Sequence, residues 1–343
     1  MKNSGSHIVV LGGGNGTSRL LATLLPALQN KKIASLHALV HMSDDGGSTG
    51  RLRQQYGVAA MGDLTKCLLA LSSLKGDIRG DLFLKALQYR FDGGDFEGHT
   101  LRNMMLTALQ KTSDLDSAIS TMARVLQIPK YAGVVPTTLT PLTVQAEVVR
   151  SNWRSLLGTG EHSVAHSVNL QADPTWKPGD VRIAFSEGDV PLNSRAEKVL
   201  SEATHLIIAP GHTYGTILPT LALPALGAAI AQNKQGKIIV VMTLLTTPRQ
   251  TVGWSGEDFV RVYESYLGGR SADTVIANTG RVDTTLVPGQ EWVDFTEKEH
   301  SYALHQQDLV SAQNEAPQNG DRVPRAVVIH DTGKLEGVLQ AIL

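Results

Sequence analysis

Only one of the 343 residues is a cysteine, Cys67, so the chain has no disulfide framework and no cysteine cluster for a metal. Aromatic residues make up 5%, a poor supply for a surface that stacks bases. An excess of one charge is missing too. The 31 basic residues face 32 acidic ones, which signals neither disorder nor a polyanion-binding tail, so nucleic acid is not an expected partner. No window reaches the roughly 18 apolar residues of a membrane-spanning helix. The start, "MKNSGSHIVVLGGG", is unlike a signal peptide: it has one lysine and a short apolar run ending in glycines. A cytoplasmic location with no membrane span is the expectation.

Glycine, by contrast, is plentiful at 33 residues, a balance that suits an α/β fold with backbone-lined loops. "IVVLGG" (Ile8 to Gly13) reads as a strand and "TSRLLATLLPALQ" as a helix that Pro26 bends late; "SLHALVHM" is a second strand. Four helical stretches follow, Asp63 to Leu74, Asp81 to Phe91, His99 to Lys111 and Asp114 to Leu126. From Tyr131 to Phe185 the texture turns to alternating, proline-bearing segments such as "GVVPTTLTPLTVQAEVV" and "DVRIAFSEGD", an antiparallel excursion. Alternation then returns. A helix near Ser194 to Ala203, strand "HLIIAPG", helix Thr216 to Gln232, strand "KIIVVMT", helix Gly256 to Leu267 and strand "DTVIAN" imply a parallel sheet covered on both faces. "SAQNEAPQNGDRVP" (Ser311 to Pro324) is loop-like, and "AVVIHD" with "GKLEGVLQAIL" closes the chain as strand and helix. The expected fold class is α/β: a Rossmann-like three-layer α/β/α arrangement with a mostly parallel sheet. One domain spans 1–343, with a helical segment at 63–127 and a small β-rich insertion at 131–190.

In such sheets ligands sit beyond the carboxyl ends of the strands, and the unusual residues of this chain cluster there. The first strand-to-helix loop, "GGGNGTS" (Gly12 to Ser18), favours an anion at the helix start. Aligned on G-x-G-x-x-G, it has Thr17 where the third glycine belongs, and no P-loop lysine follows, so NAD is not expected. The second loop, "HMSDDGGSTGRLR" (His41 to Arg53), sets two carboxylates beside two arginines; only one of Asp44 and Asp45 should face a ligand. Asp63, in "GD", is either an N-cap or a third carboxylate for magnesium or a sugar hydroxyl. His99 and Asn103 share a helix face and are either ligand contacts or a buried hydrogen-bonded pair. "APGHTYGTILP" offers a third anion-binding turn, with Thr213 at the position of a hydrolase nucleophile, a role in which threonine is rare. "TLLTTP" (Thr243 to Pro248) ends another strand with hydroxyls, and the other histidines lack the spacing of zinc ligands.

"LGGGNGTSRLL", "SDDGGSTGRLR", "GDLTKCLLAL", "FEGHTLRNMMLTAL" and "APGHTYGTILPTL" together resemble the CofD/YvcK-like family in order and spacing over about residues 8–280. That family includes the 2-phospho-L-lactate transferases of deazaflavin-cofactor synthesis and the bacterial gluconeogenesis factors, which bind UDP-sugars; the acidic block looks more like the latter branch. The likeness is not complete. The family's G-P-G-S-x-Y-T-S stands here as Ala209 to Thr216, with His212 for the serine. Thr65-Lys66 replaces an arginine and an asparagine, Arg102 a glycine, and "TLLTTPRQT" the usual N-I-M-T-Q-P-G-E-T.

The resemblance and the loops together imply a nucleotide-diphosphate ligand, a UDP-sugar or a relative of one. Its contacts are expected from Gly12, Gly13, Gly14, Asn15, Gly16 and Thr17; from Ser43, Asp44, Asp45, Gly46, Arg51 and Arg53; and from Gly62, Asp63, Asn103, Gly211, His212, Thr213, Tyr214, Thr216 and Thr243. Backbone N–H groups would hold the diphosphate and Arg51 or Arg53 would neutralise it. The first reading is a binding protein that links carbon metabolism to cell-envelope supply. The alternative is a magnesium-dependent transferase that moves a phospholactyl-like group to an alcohol. There Asp45 and Asp63 are the candidate metal ligands and also the candidate catalytic residues. No flavin or zinc is expected, and a homodimer is left open.

Overall fold

The computed structural model describes residues 5–150, 153–156, 177–296, 299–312 and 328–343. Seven strands form a sheet in the order β10-β9-β8-β7-β1-β2-β3. They are β1 (Ser6–Leu11), β2 (Ile33–Val40), β3 (Ala132–Pro136), β7 (His205–Ile208), β8 (Lys237–Val241), β9 (Thr274–Asn278) and β10 (Ala303–Gln307). Every neighbouring pair runs parallel. A parallel strand needs a crossover, and helices fill both faces. Ile8 and Val10 of β1 join one core, with Leu20 and Leu24 of α1 (Gly14–Gln29) and Leu64 and Leu68 of α3 (Met61–Ala70). Val9 and Leu11 join the other, with Leu200 of α7 (Ser194–Glu202), Leu226 of α9 (Pro224–Gln232) and Phe259 of α10 (Gly256–Glu264). Burial on both faces explains why β1 reads as continuous rather than alternating apolar residues.

The chain passes from β1 to β2 and β3 on one side, then returns to β7 on the other side of β1. Strand order therefore reverses between β1 and β7, which opens the crevice of an open α/β sheet at their carboxyl ends. On the β2 side stand α2 (Gly47–Tyr56), α3, α4 (Ile78–Gln88), α5 (Leu101–Thr112) and α6 (Leu115–Val125). The chain ends in α11 (Thr332–Ile342), which packs on α1.

Four expectations change. The strand at Ala132–Pro136 belongs to the main sheet beside β2, so the excursion begins only after it. That excursion is an antiparallel sheet in the order β5-β4-β6, with β4 (Val144–Arg150), β5 (Trp153–Leu156) and β6 (Val181–Phe185). Residues 157–176 of the expected insertion lie outside the described residues. The helix expected at Thr216 to Gln232 is three pieces: a π-helical turn Thr213–Ile217, α8 (Leu218–Leu221) and α9. Pro224 causes the break, because the ring forces Leu223 into an extended conformation. β10 follows a long loop and its own pattern is mostly exposed, so it carries no apolar signal. The terminal "AVVIHD" is, in its described part, a single bridge between Val310 and His330; most of "SAQNEAPQNGDRVP" lies outside the described residues. Among the described residues no single helix is long and apolar enough to cross a membrane.

Candidate functional site

The crevice between β1 and β7 is floored by two loops that touch. Gly13 caps α1 with no side-chain bond, and the first turn of α1 holds no acid, so its N–H groups and dipole favour an anion. A Cβ on Gly16 would lie 1.8 Å from the Pro210 carbonyl oxygen of the β7 loop, so only glycine lets the two loops meet. Thr216 Oγ1 is 4.0 Å from where a Gly14 Cβ would stand, which sets that hydroxyl beside the start of α1. Asn15 sits in the first turn, its carbonyl accepting from Ser18 Oγ. The Thr17 hydroxyl is buried without a partner next to Gly12.

The wall on the β2 side is charged. Asp63 is the third residue of α3, whose N-cap is Ala60, so its carboxylate is not spent as a cap. It is pressed under the glycine loop: a Gly13 Cβ would be 2.4 Å from Oδ2. Oδ1 accepts from Lys66 Nζ at 3.2 Å, and Oδ2 lies 3.4 Å from His41 Nε2. His41, just beyond β2, is fixed through its other nitrogen by Ser43 Oγ at 2.8 Å. Burial by itself would raise the Asp63 pKa, but Lys66 and then His41 outweigh it and hold the carboxyl well below the usual range. Asp44 goes the other way, raised by burial and by the neighbouring Asp63. Its Oδ1 accepts from the Gly46 N–H at 3.1 Å, and its Oδ2 would be 2.8 Å from a Cβ on Gly62. It is thus Asp44, not Asp45, that the fold brings against Asp63. Asp45 is half-buried at the turn into α2, its carbonyl pressed against Gly50.

Both arginines fasten the loop. Arg53 donates to the carbonyls of Asp44 at 3.1 Å and Leu142 at 2.9 Å, and Arg51 donates to the Glu97 carbonyl. Lys66 is the cation paired with Asp63, while Arg51 and Arg53, expected to neutralise a diphosphate, donate to main-chain carbonyls. His99 lies before α5 rather than on it, yet it converges with Asn103 on one hydroxyl. Ser48 Oγ is 2.9 Å from His99 Nδ1 and accepts from Asn103 Nδ2 at 3.2 Å, while Asn103 Oδ1 accepts from Thr65 Oγ1 at 2.8 Å. This buried chain ties α2, α3 and α5 together and holds the helix that carries Asp63 and Lys66. Burial, with Arg51 and Arg90 nearby, lowers the His99 pKa, in keeping with a neutral ring that accepts from Ser48.

The β7 wall is neutral. His212 Nδ1 accepts the Gly215 N–H at 2.9 Å, and burial pushes its pKa down to about 4. A pKa that low favours a neutral ring. Thr213 is buried with its hydroxyl 3.3 Å from that of Tyr263, so it is not a nucleophile. Tyr214 is 2% exposed and packs edge-on against Trp254 in the core, so both of these expected contact residues have buried side chains. Gly211 is covered by Ile217, and Thr243, half-buried at the end of β8, turns its hydroxyl to the Leu245 carbonyl at 3.4 Å. The sequence reading missed His41 and Lys66. The signal was available for Lys66: Asp63 and Lys66 are three apart on a helix and share a face.

The glycine loop at the start of α1 and the Asp44–Asp63 wall fall within the stretch, residues 8–316, that matches the family described as 2-phospho-L-lactate transferase CofD. The chain belongs to the CofD family. A gluconeogenesis factor of Listeria innocua is 33% identical over 83% of this chain and 81% of that protein. The gluconeogenesis factor of Bacillus subtilis is 27% identical over 98% of both. A Nostoc sp. relative is 35% identical over 78% of this chain, which spans about half the length of that protein, 53%. A crystal structure of a UPF0052-family protein from Bacillus halodurans shares the fold, with a TM-score of 0.79 and 22% identity over 98% of this chain and 99% of that one.

In this CofD-family chain the residues do not fit magnesium. Among the described residues no group of three His, Cys, Asp or Glu could hold a metal ion. Asp63 has Lys66 on one oxygen and His41 3.4 Å from the other, and Asp44 Oδ1 accepts from the Gly46 N–H.

Proposed function

We propose that this protein binds a nucleoside diphosphate joined to a sugar, of the UDP-sugar class, in the crevice between β1 and β7, as a gluconeogenesis-factor-type binding protein that links carbon metabolism to cell-envelope supply. The observation that carries this reading is the contact of Gly16 with Pro210. It places the acid-free N-terminus of α1 and the hydroxyl of Thr216 at the reversal of strand order, where a diphosphate finds backbone donors. The names of the Listeria and Bacillus relatives support the branch. Titration of the purified protein with UDP-GlcNAc, UDP-glucose, GDP and NAD tests it. Saturable binding of a UDP-sugar, unaltered after overnight incubation, is the expected result. Preference for GDP would overturn the reading.

One observation favours a second reading, transfer of a phosphorus-containing group. A carboxyl with a raised pKa is a better general base than an ordinary one, and Asp44, beside Gly62 and Asp63, is such a group. In that reading Asp44 would take the proton of an attacking alcohol. Asp63, ion-paired and depressed, is unsuited to that step. Release of nucleoside phosphate that depends on an added alcohol, and that Asp44→Asn abolishes, distinguishes the transferase from the binding protein.

A further inference from the structure

Resting on the nucleotide-diphosphate reading, we propose that this crevice holds its phosphates without a divalent cation, and that Lys66 supplies the positive charge a metal would otherwise bring. A diphosphate placed beside Asp44 and Asp63 adds negative charge to negative charge. The pair needs a cation, and magnesium ordinarily serves by bridging one or two carboxylates to phosphate oxygens. Here the cation belongs to the chain. Lys66 Nζ is 3.2 Å from Asp63 Oδ1, and that oxygen is 3.7 Å from where a Gly14 Cβ would stand, at the first turn of α1. The ammonium and the first turn of α1 thus adjoin the same carboxylate oxygen.

Three features make the placement specific. Lys66 stands one turn beyond Asp63 on α3, so the helix itself fixes the pair. The lysine side chain keeps 23% of its surface exposed while Asp63 keeps 9%, and an ammonium has three donors, of which Asp63 takes one. A metal seeking Asp63 would have to displace both Lys66 and His41, and its second carboxylate would be Asp44, whose Oδ1 is held by the Gly46 N–H. The buried hydroxyl of Thr17, without a partner beside Gly12, is a further donor at the same turn. Arg51 and Arg53, the other cations of the region, are committed to carbonyls of the loop.

Calorimetric titration tests this with two probes, UDP-GlcNAc in EDTA and in magnesium chloride, and pyrophosphate in EDTA. The wild-type protein is expected to bind UDP-GlcNAc in EDTA within about threefold of its affinity in magnesium. Lys66→Met should bind both probes in EDTA more than about tenfold more weakly, the loss of one charge-assisted contact, whereas Lys66→Arg keeps most of the affinity. Melting curves check that Lys66→Met folds, and the wild-type comparison of EDTA with magnesium needs no variant. Wild-type affinity that falls more than about tenfold in EDTA, or Lys66→Met that binds like wild type, overturns the inference. Pyrophosphate bound through Lys66 while UDP-GlcNAc fails to bind upholds the inference and rejects the nucleotide-sugar reading. Wild-type protein that binds neither probe overturns both.

Discussion

The loops after β2 and after β7 are both rich in glycine and hydroxyl residues, yet they furnish opposite walls of one crevice. The β2 side builds a charged wall: Asp63 is held between Lys66 and His41, with Asp44 beside it. The β7 side builds a neutral one. Thr213 and Tyr214 turn into the core, His212 accepts a backbone N–H, and what remains for a ligand is main chain and the Thr216 hydroxyl. Small polar residues after a strand thus do not define a role. Whether they face the crevice depends on how the next helix starts: an α-helix at Gly47 after β2, a π-helical turn at Thr213 after β7.

The seam between the walls should be the most sensitive point. Gly16→Ala drives a Cβ to 1.8 Å from the Pro210 oxygen. We expect a loss of about 3 kcal/mol in urea unfolding, as for an overpacked core, together with loss of ligand binding. If the variant keeps wild-type stability and affinity, the two walls do not depend on this contact.

On the charged wall, Asp63→Asn should cost about 2 kcal/mol by leaving Lys66 without its counter-charge. The sign with pH follows from the depressed carboxyl. Its stabilising contribution is complete above the ordinary carboxylate range and is lost as pH falls through the lower folded value, so the variant should lose less stability than wild type on acidification. Asp44→Asn should act in the opposite direction. A raised folded pKa means that wild-type stability declines as pH climbs from the ordinary value to the raised one, so the amide should be the more stable of the two at pH 7. Melting temperatures of the two variants from pH 2 to pH 8 check both, and equal responses would dissolve the contrast between Asp44 and Asp63.

The smallest effect belongs to the neutral wall. With His212 down near 4 and its Nδ1 occupied by Gly215, ligand affinity should show no step from this ring between pH 6 and 8. The difference between wild type and His212→Gln across that interval, followed by titration, should be constant. A step confined to wild type would mean that the ring is charged when ligand binds.

Much of the fold was legible in the chain. β1 and β7 to β9 carry β-branched runs that need burial on two faces, β2 is a mixed apolar run, and the helices between them carry the matching periodicity, so a parallel sheet followed directly. β3 was legible as a strand but not as a member of the main sheet, since pairing with β2 across more than ninety residues leaves no local trace. The loop glycines and the acidic block marked the crevice. The partner of Asp63 was another matter: Asp44 and Asp45 are equivalent in sequence, and only the turn into α2 selects Asp44.

By itself, then, the sequence determined the parallel α/β frame, the acid-free start of α1 and the presence of carboxylates near it, because these rest on periodicity and on neighbours within a turn. Tertiary structure decided which charges meet. Lys66 and His41 reach Asp63, and the arginines turn away to carbonyls, because hydrogen-bond partners are chosen by distances between elements far apart in the chain.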